Sequence, residues 1–93
     1  MYEIIVSARF KSDLKKCQKR RFDPANLKEV VDLLANGEKL PARFKDHKLN
    51  DSKQFKDVRE CHVEEPDTLL VYRTSKKQQI LWLYRLGTHE ELF

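Results

Sequence analysis

Three histidines, at positions 47, 62 and 89, are the side chains of this 93-residue chain best suited to moving a proton near neutral pH. Around the last of them runs Arg85-Leu86-Gly87-Thr88-His89-Glu90-Glu91-Leu92-Phe93. It gathers a fixed cation suited to phosphate oxygens, an imidazole and an aromatic ring able to stack on a nucleobase. Taken alone, this tail serves equally well as a hydrophobic plug for a small core. Glu60 and His62 tip the balance: they stand on alternate positions of a run that reads as a strand, so both face one side. A core sheet would carry Val or Ile there. With Arg85 and His89 entering from the end of an adjacent strand, the pattern favours a site over a solvated face.

Those residue types match the needs of metal-independent RNA cleavage. A base takes the proton of a ribose 2′-hydroxyl, which attacks the neighbouring phosphorus. An acid protonates the departing 5′-oxygen, and a cation steadies the charged phosphorane between them. Imidazole can serve as acid or base. The charge distribution points to the same kind of substrate. From Met1 to Arg21 there are seven basic residues against two acidic ones, within a chain of net charge +4. Lys11, Lys15 and Lys19 share a helical face, and Lys19-Arg20-Arg21 crowd together despite their repulsion, which suits a polyanion. A simply solvated face is the competing reading of that row. Lys45 and Lys48 flank His47 in the same way.

The elements that must hold these residues can be read in order. Tyr2 to Val6 is an apolar, β-branched run, expected as a strand buried on both faces. Ser7 can cap a helix in which Phe10, Leu14 and Cys17 form the apolar stripe, reaching about Arg21. Asp23-Pro24 starts a second helix with stripe Leu27, Val30, Val31 and Leu34, closed by Asn36-Gly37. Glu38 to Gln54 has no steady period and is expected as a long loop, containing Asp46-His47. Strands are expected over Phe55 to Val63, Thr68 to Arg73 and Ile80 to Arg85, joined by turns at Glu64 to Asp67 and Ser75 to Gln79. The order predicts one α+β domain spanning residues 1–93, with an N-terminal strand and two helices packed on an antiparallel sheet.

Composition narrows the class further. Charged residues make up 37% of the chain, and no stretch is long and apolar enough to span a bilayer. The start lacks the features of a signal peptide, so a cytoplasmic location is expected. Cys17 and Cys61 are too few and isolated for a disulfide framework or a zinc site, and Cys61 and His62 should point to opposite faces. Both cysteines are expected reduced and packed in the core, with no metal and no cofactor.

Three blocks carry a resemblance. Pro41 to Leu49, Arg59-Glu60-Cys61-His62-Val63 with Pro66-Asp67 before Leu69-Leu70-Val71-Tyr72, and Arg85 to Phe93 resemble the YafQ branch of RelE-type bacterial toxins in order and spacing. These toxins are mRNA interferases of type II toxin–antitoxin systems. The resemblance implies a RelE-like microbial RNase fold and a ribosome-dependent endoribonuclease that cuts mRNA in the A site. It also implies neutralisation by a cognate antitoxin, with operator DNA bound only by the toxin–antitoxin complex, and no membrane partner. It places His89 as the principal acid, with His62 and His47 as supporting histidines and Glu60 as an acidic partner. Arg85 falls on the phosphate-stabilising arginine, and Phe93 on the ring that packs against the base. Lys15, Lys19, Arg20, Lys45 and Lys48 would hold RNA. One place departs from the family pattern: His62-Val63-Glu64-Glu65-Pro66-Asp67-Thr68 has one residue more than usual, and Thr68 stands where Trp is common. Asp67 falls on the catalytic carboxylate, although Glu65 could take its place. The surplus residue must be absorbed in the turn or as a bulge, and the apolar strand after it favours the turn. A non-enzymatic or weakly active RNA-, ribosome- or operator-binding module of the same fold is the alternative.

Overall fold

Residues 1–20, 22–49, 58–64 and 68–92 are described by a computed structural model. The chain runs β1 (Glu3–Val6), α1 (Ala8–Gln18), α2 (Pro24–Ala35), a 3-10 turn (Ala42–Phe44), β2 (His47–Lys48), β3 (Arg59–Glu64), β4 (Thr68–Ser75), β5 (Ile80–Gly87) and α3 (His89–Leu92). The strands form one sheet in the order β1-β5-β4-β3-β2. β2 to β5 are antiparallel to their neighbours, and β1 joins β5 in parallel. This is the expected α+β architecture with a mixed rather than wholly antiparallel sheet. The helical crossover from β1 allows the parallel join.

Both helices start as their caps dictate. The Ser7 Oγ accepts from Phe10 N at 2.9 Å, and Asp23 accepts from Ala25 N ahead of Pro24. The Ser7 hydroxyl also donates to the Tyr84 carbonyl at 2.7 Å, tying the start of α1 to β5. α1 packs on β5, and α2 reaches both β3 and β5. Phe10, Cys17, Val30 and Leu34 meet Cys61, Leu70, Tyr72, Leu81, Leu83 and Leu86 in the core. Cys17 and Cys61 are free and buried, as expected of small packing residues, and burial pushes both thiols upward in pKa.

Three expectations are corrected. β1 is not buried on both faces: Ile4 is 43% and Ile5 39% exposed. Its apolar run reads like a central strand, but β1 lies at the sheet edge with only β5 beside it. The Glu38 to Gln54 stretch is not all loop, because the 3-10 turn and β2 lie within it. β3 carries a bulge between His62 and Glu64, where the register shifts, and the turn expected to absorb the surplus residue lies outside the described residues. The downstream faces are kept, with Leu70 and Tyr72 inward. Finally, Glu64 ends β3 rather than opening the turn. The tail also closes in a short helix, α3. The expected strand start at Phe55 and the turn residues Glu65 to Asp67 lie outside the described residues.

Candidate active site

β3 is the strand on which the site is built. Its alternation sends Cys61 and Val63 into the core and leaves Glu60 and His62 on the other face. Register then extends the arrangement sideways. His47 of β2 lies opposite Glu60, Glu60 opposite Val71 of β4, and Val71 opposite Arg85 of β5. One step along, His62 lies opposite Leu69, and Leu69 opposite Gly87. Thr88 and His89 follow directly. Two adjoining cross-strand rows therefore bring His47, Glu60, His62 and Arg85 to one end of the sheet, where the His89 tail begins.

His47 is oriented on both sides. Its Nδ1 lies 2.9 Å from the Lys45 carbonyl and its Nε2 lies 3.4 Å from Glu60 Oε1. A carbonyl can only accept, so Nδ1 is the donor of the first contact, while Nε2 faces the Glu60 carboxylate. Glu60 is 5% exposed, whereas the His47 side chain is half exposed and open to a substrate. The placement of His47 depends on the segment before it. Phe44 is buried, Arg43 pairs with Glu29 of α2, and Lys45 turns the chain at φ 49°. Asp46 then clamps the segment to the sheet. It receives Arg59 Nε and Nη2, the latter at 3.0 Å, together with the Tyr72 hydroxyl. Burial raises the Tyr72 phenol well above its ordinary pKa, so it stays a donor. The Arg59 guanidinium is held charged by its bonds to Asp46.

Arg85 is held from the opposite side. Its Nε donates to Asp13 Oδ2 of α1 at 2.7 Å, and Nη2 reaches Oδ1 at 3.3 Å. The same carboxylate accepts from Leu86 N at 3.0 Å, beyond the end of the β1 ladder. These bonds raise the Arg85 pKa further, and a surplus residue in β5, Tyr84, marks the register shift beside it. Two of five guanidinium N–H groups are engaged by Asp13, which leaves the others for a phosphate. The neighbouring tail is capped reciprocally. Thr88 N donates to Glu91 Oε1 at 2.9 Å, and Glu91 N donates to Thr88 Oγ1 at 3.2 Å.

The residues expected from sequence are thus placed unequally. His47 and Glu60 meet, His62 shares their face, and Arg85 continues their row. His62 is half-buried and His89 is exposed on α3. Lys45 and Lys48 are exposed beside His47, and Lys15, Lys19 and Arg20 are exposed toward the end of α1. Arg20 pairs with Glu91. Asp67, Glu65, Arg21 and Phe93 lie outside the described residues. Sequence reasoning missed Asp13 and Asp46. Asp13 carried a signal, since it interrupts the buried stripe between Phe10 and Cys17. Asp46 carried none, because its partners are 13 and 26 residues away. Among the described residues, no three His, Cys, Asp or Glu side chains are grouped as a metal site requires.

Residues 2–93 match the family model described as bacterial toxin of type II toxin-antitoxin system, YafQ. The chain belongs to the YafQ toxin family. Its curated relatives include the mRNA interferase toxin YafQ of Escherichia coli strain B, 42% identical over 98% of this chain and 95% of the relative. The K12 counterpart is 41% identical over the same shares. Among solved structures, a metal-bound toxin from Helicobacter pylori superposes with a TM-score of 0.90 at 45% identity, covering all of both chains. YafQ in the E. coli DinJ–YafQ complex superposes at 0.87 and 40% identity, covering all of this chain and 99% of that one. Both structures share the overall fold described above for this toxin.

Proposed function

We propose that this toxin cuts mRNA on the ribosome, in the A site, by acid–base chemistry among its own side chains, and that a cognate antitoxin silences it. The chain is an endoribonuclease of the mRNA interferase type, by its family and its curated relatives. The observation that carries the finer reading is the row His47–Glu60–Val71–Arg85, with the His62 row and the His89 tail at its side.

In this reading His47 Nε2 accepts the proton of the ribose 2′-hydroxyl, while Glu60 stabilises the imidazolium that forms. The Nδ1 bond to Lys45 keeps the ring turned so that Nε2 stays in place. The free N–H groups of Arg85 steady the phosphorane, because guanidinium matches paired phosphate oxygens. His89 gives its proton to the departing 5′-oxygen. His62 adds positive charge when protonated, and Asp67 supports the histidines. Phe93 packs on the base, and Lys15, Lys19, Lys45 and Lys48 hold the RNA backbone. The E. coli relative is seen with DinJ. By the same logic, a cognate antitoxin of this toxin covers the site, and the toxin meets operator DNA only within their complex.

One observation favours a second reading, a module that binds RNA without cutting it. The Arg85 side chain is only 15% exposed and is committed in part to Asp13. Primer extension on an mRNA translated with the purified toxin separates the two. Discrete new ends that need ribosomes, with a 2′,3′-cyclic phosphate upstream and a 5′-hydroxyl downstream, are expected. Stalling without new ends supports the binding module, and cleavage of naked mRNA at the same rate contradicts ribosome dependence.

A further inference from the structure

α3 is four residues long, too short to hold its shape alone in water. Yet it carries His89. What fixes it converges on one oxygen. Glu91 Oε1 accepts from Thr88 N at 2.9 Å and forms an ion pair with Arg20 Nη2 at 3.0 Å. The same Arg20 Nη2 lies 3.5 Å from Cys17 Sγ, a buried atom of α1, so the guanidinium is anchored at its own end as well. Gly87 allows the approach, because a Cβ there would lie 2.9 Å from that same Oε1.

We propose that Arg20 and Glu91 form a latch that positions the tail helix, and with it His89, against the end of α1. Neither residue touches substrate in this role. Arg20, which by sequence falls among the RNA-binding cations, acts through Glu91 and Thr88 instead. The inference rests on the reading of His89 as the acid only for its effect on rate.

Arg20→Ala, Glu91→Gln and the double variant test it. Gln keeps an acceptor for Thr88 N and removes only the charge. In single-turnover cleavage of mRNA on programmed ribosomes, each single variant should lower the maximal rate about threefold to fivefold, as expected for an exposed ion pair. The half-saturating toxin concentration should stay the same. The double variant should be no slower than either single one, since both remove one interaction. Arg20→Lys should recover part of the loss. Losses that multiply, or a change confined to half-saturation, overturn the latch; the second would mean that Arg20 grips RNA directly. Amide exchange on the same proteins provides a readout that does not depend on cleavage. The Glu91 and Leu92 amides should exchange faster in Arg20→Ala while β4 amides are unchanged, and unaltered protection in α3 overturns the proposal even if the toxin cuts no RNA.

Discussion

At the scale of single residues, two carboxylates that take no part in the proposed chemistry hold in place the groups that do. Asp13 serves Arg85 and the Leu86 amide, and its side chain and that of Arg85 are both largely shielded from water. Asp13→Ala leaves a shielded guanidinium and a backbone donor without that acceptor. It should cost about 3 kcal/mol of stability, measured by urea unfolding. Asp13→Asn keeps one acceptor for the amide and should cost about half as much. Equal, small losses would mean that water replaces the carboxylate freely. Asp13 was legible in hindsight, as a charge inside an apolar stripe. Asp46 was not, since no local pattern foretells that Arg59 and Tyr72 will close around it. The alternation that puts Glu60 and His62 on one face was legible because a strand repeats every two residues.

At the scale of elements, the least legible pieces are the short ones. β2 has two residues and α3 has four, so neither leaves a period in the sequence, and both exist through contacts made elsewhere. The proposed site depends on these two elements, which carry His47 and His89. Glu91 makes α3 sensitive to acid. The Thr88 amide bond, then the Arg20 charge, lower its carboxyl below the ordinary value of 4.5. Its folded form therefore binds fewer protons than its unfolded form, and the stability it contributes is fully present above about pH 4.5 and fades as pH falls through the lowered value. An NMR titration read at the Glu91 side-chain carboxyl carbon should show its midpoint below 4.5, and a midpoint at or above that value would contradict the bonds assigned to it. Gly87→Ala acts on the same element. It should push the Glu91 carboxylate off Thr88 and Arg20, raising exchange of the Glu91 amide while the core stays folded. Wild-type protection in this variant would show that the side chain swings aside without consequence.

At the scale of the whole molecule, the sheet order is what turns scattered residues into neighbours. Ser7 meets Tyr84 across 77 positions and Asp13 meets Arg85 across 72. Both contacts exist because β1 enters the sheet beside β5 and α1 crosses back over it. The α+β class and the helix caps could be read from pattern and capping chemistry. The edge position of β1 could not, because an apolar run looks alike at the centre and at the rim of a sheet. The functional consequence is a division of labour. One side of the sheet is filled by the helices, and the other carries His47 and His62 on adjoining rows. In the proposed mechanism, proton donation by the tail imidazole is the step on which cleavage turns. Single-turnover cleavage of mRNA on programmed ribosomes by folded His89→Ala, beside the wild type, tests this most directly. A loss of about a hundredfold or more in rate is expected, with binding to the ribosome retained. Cleavage at the wild-type rate would contradict it.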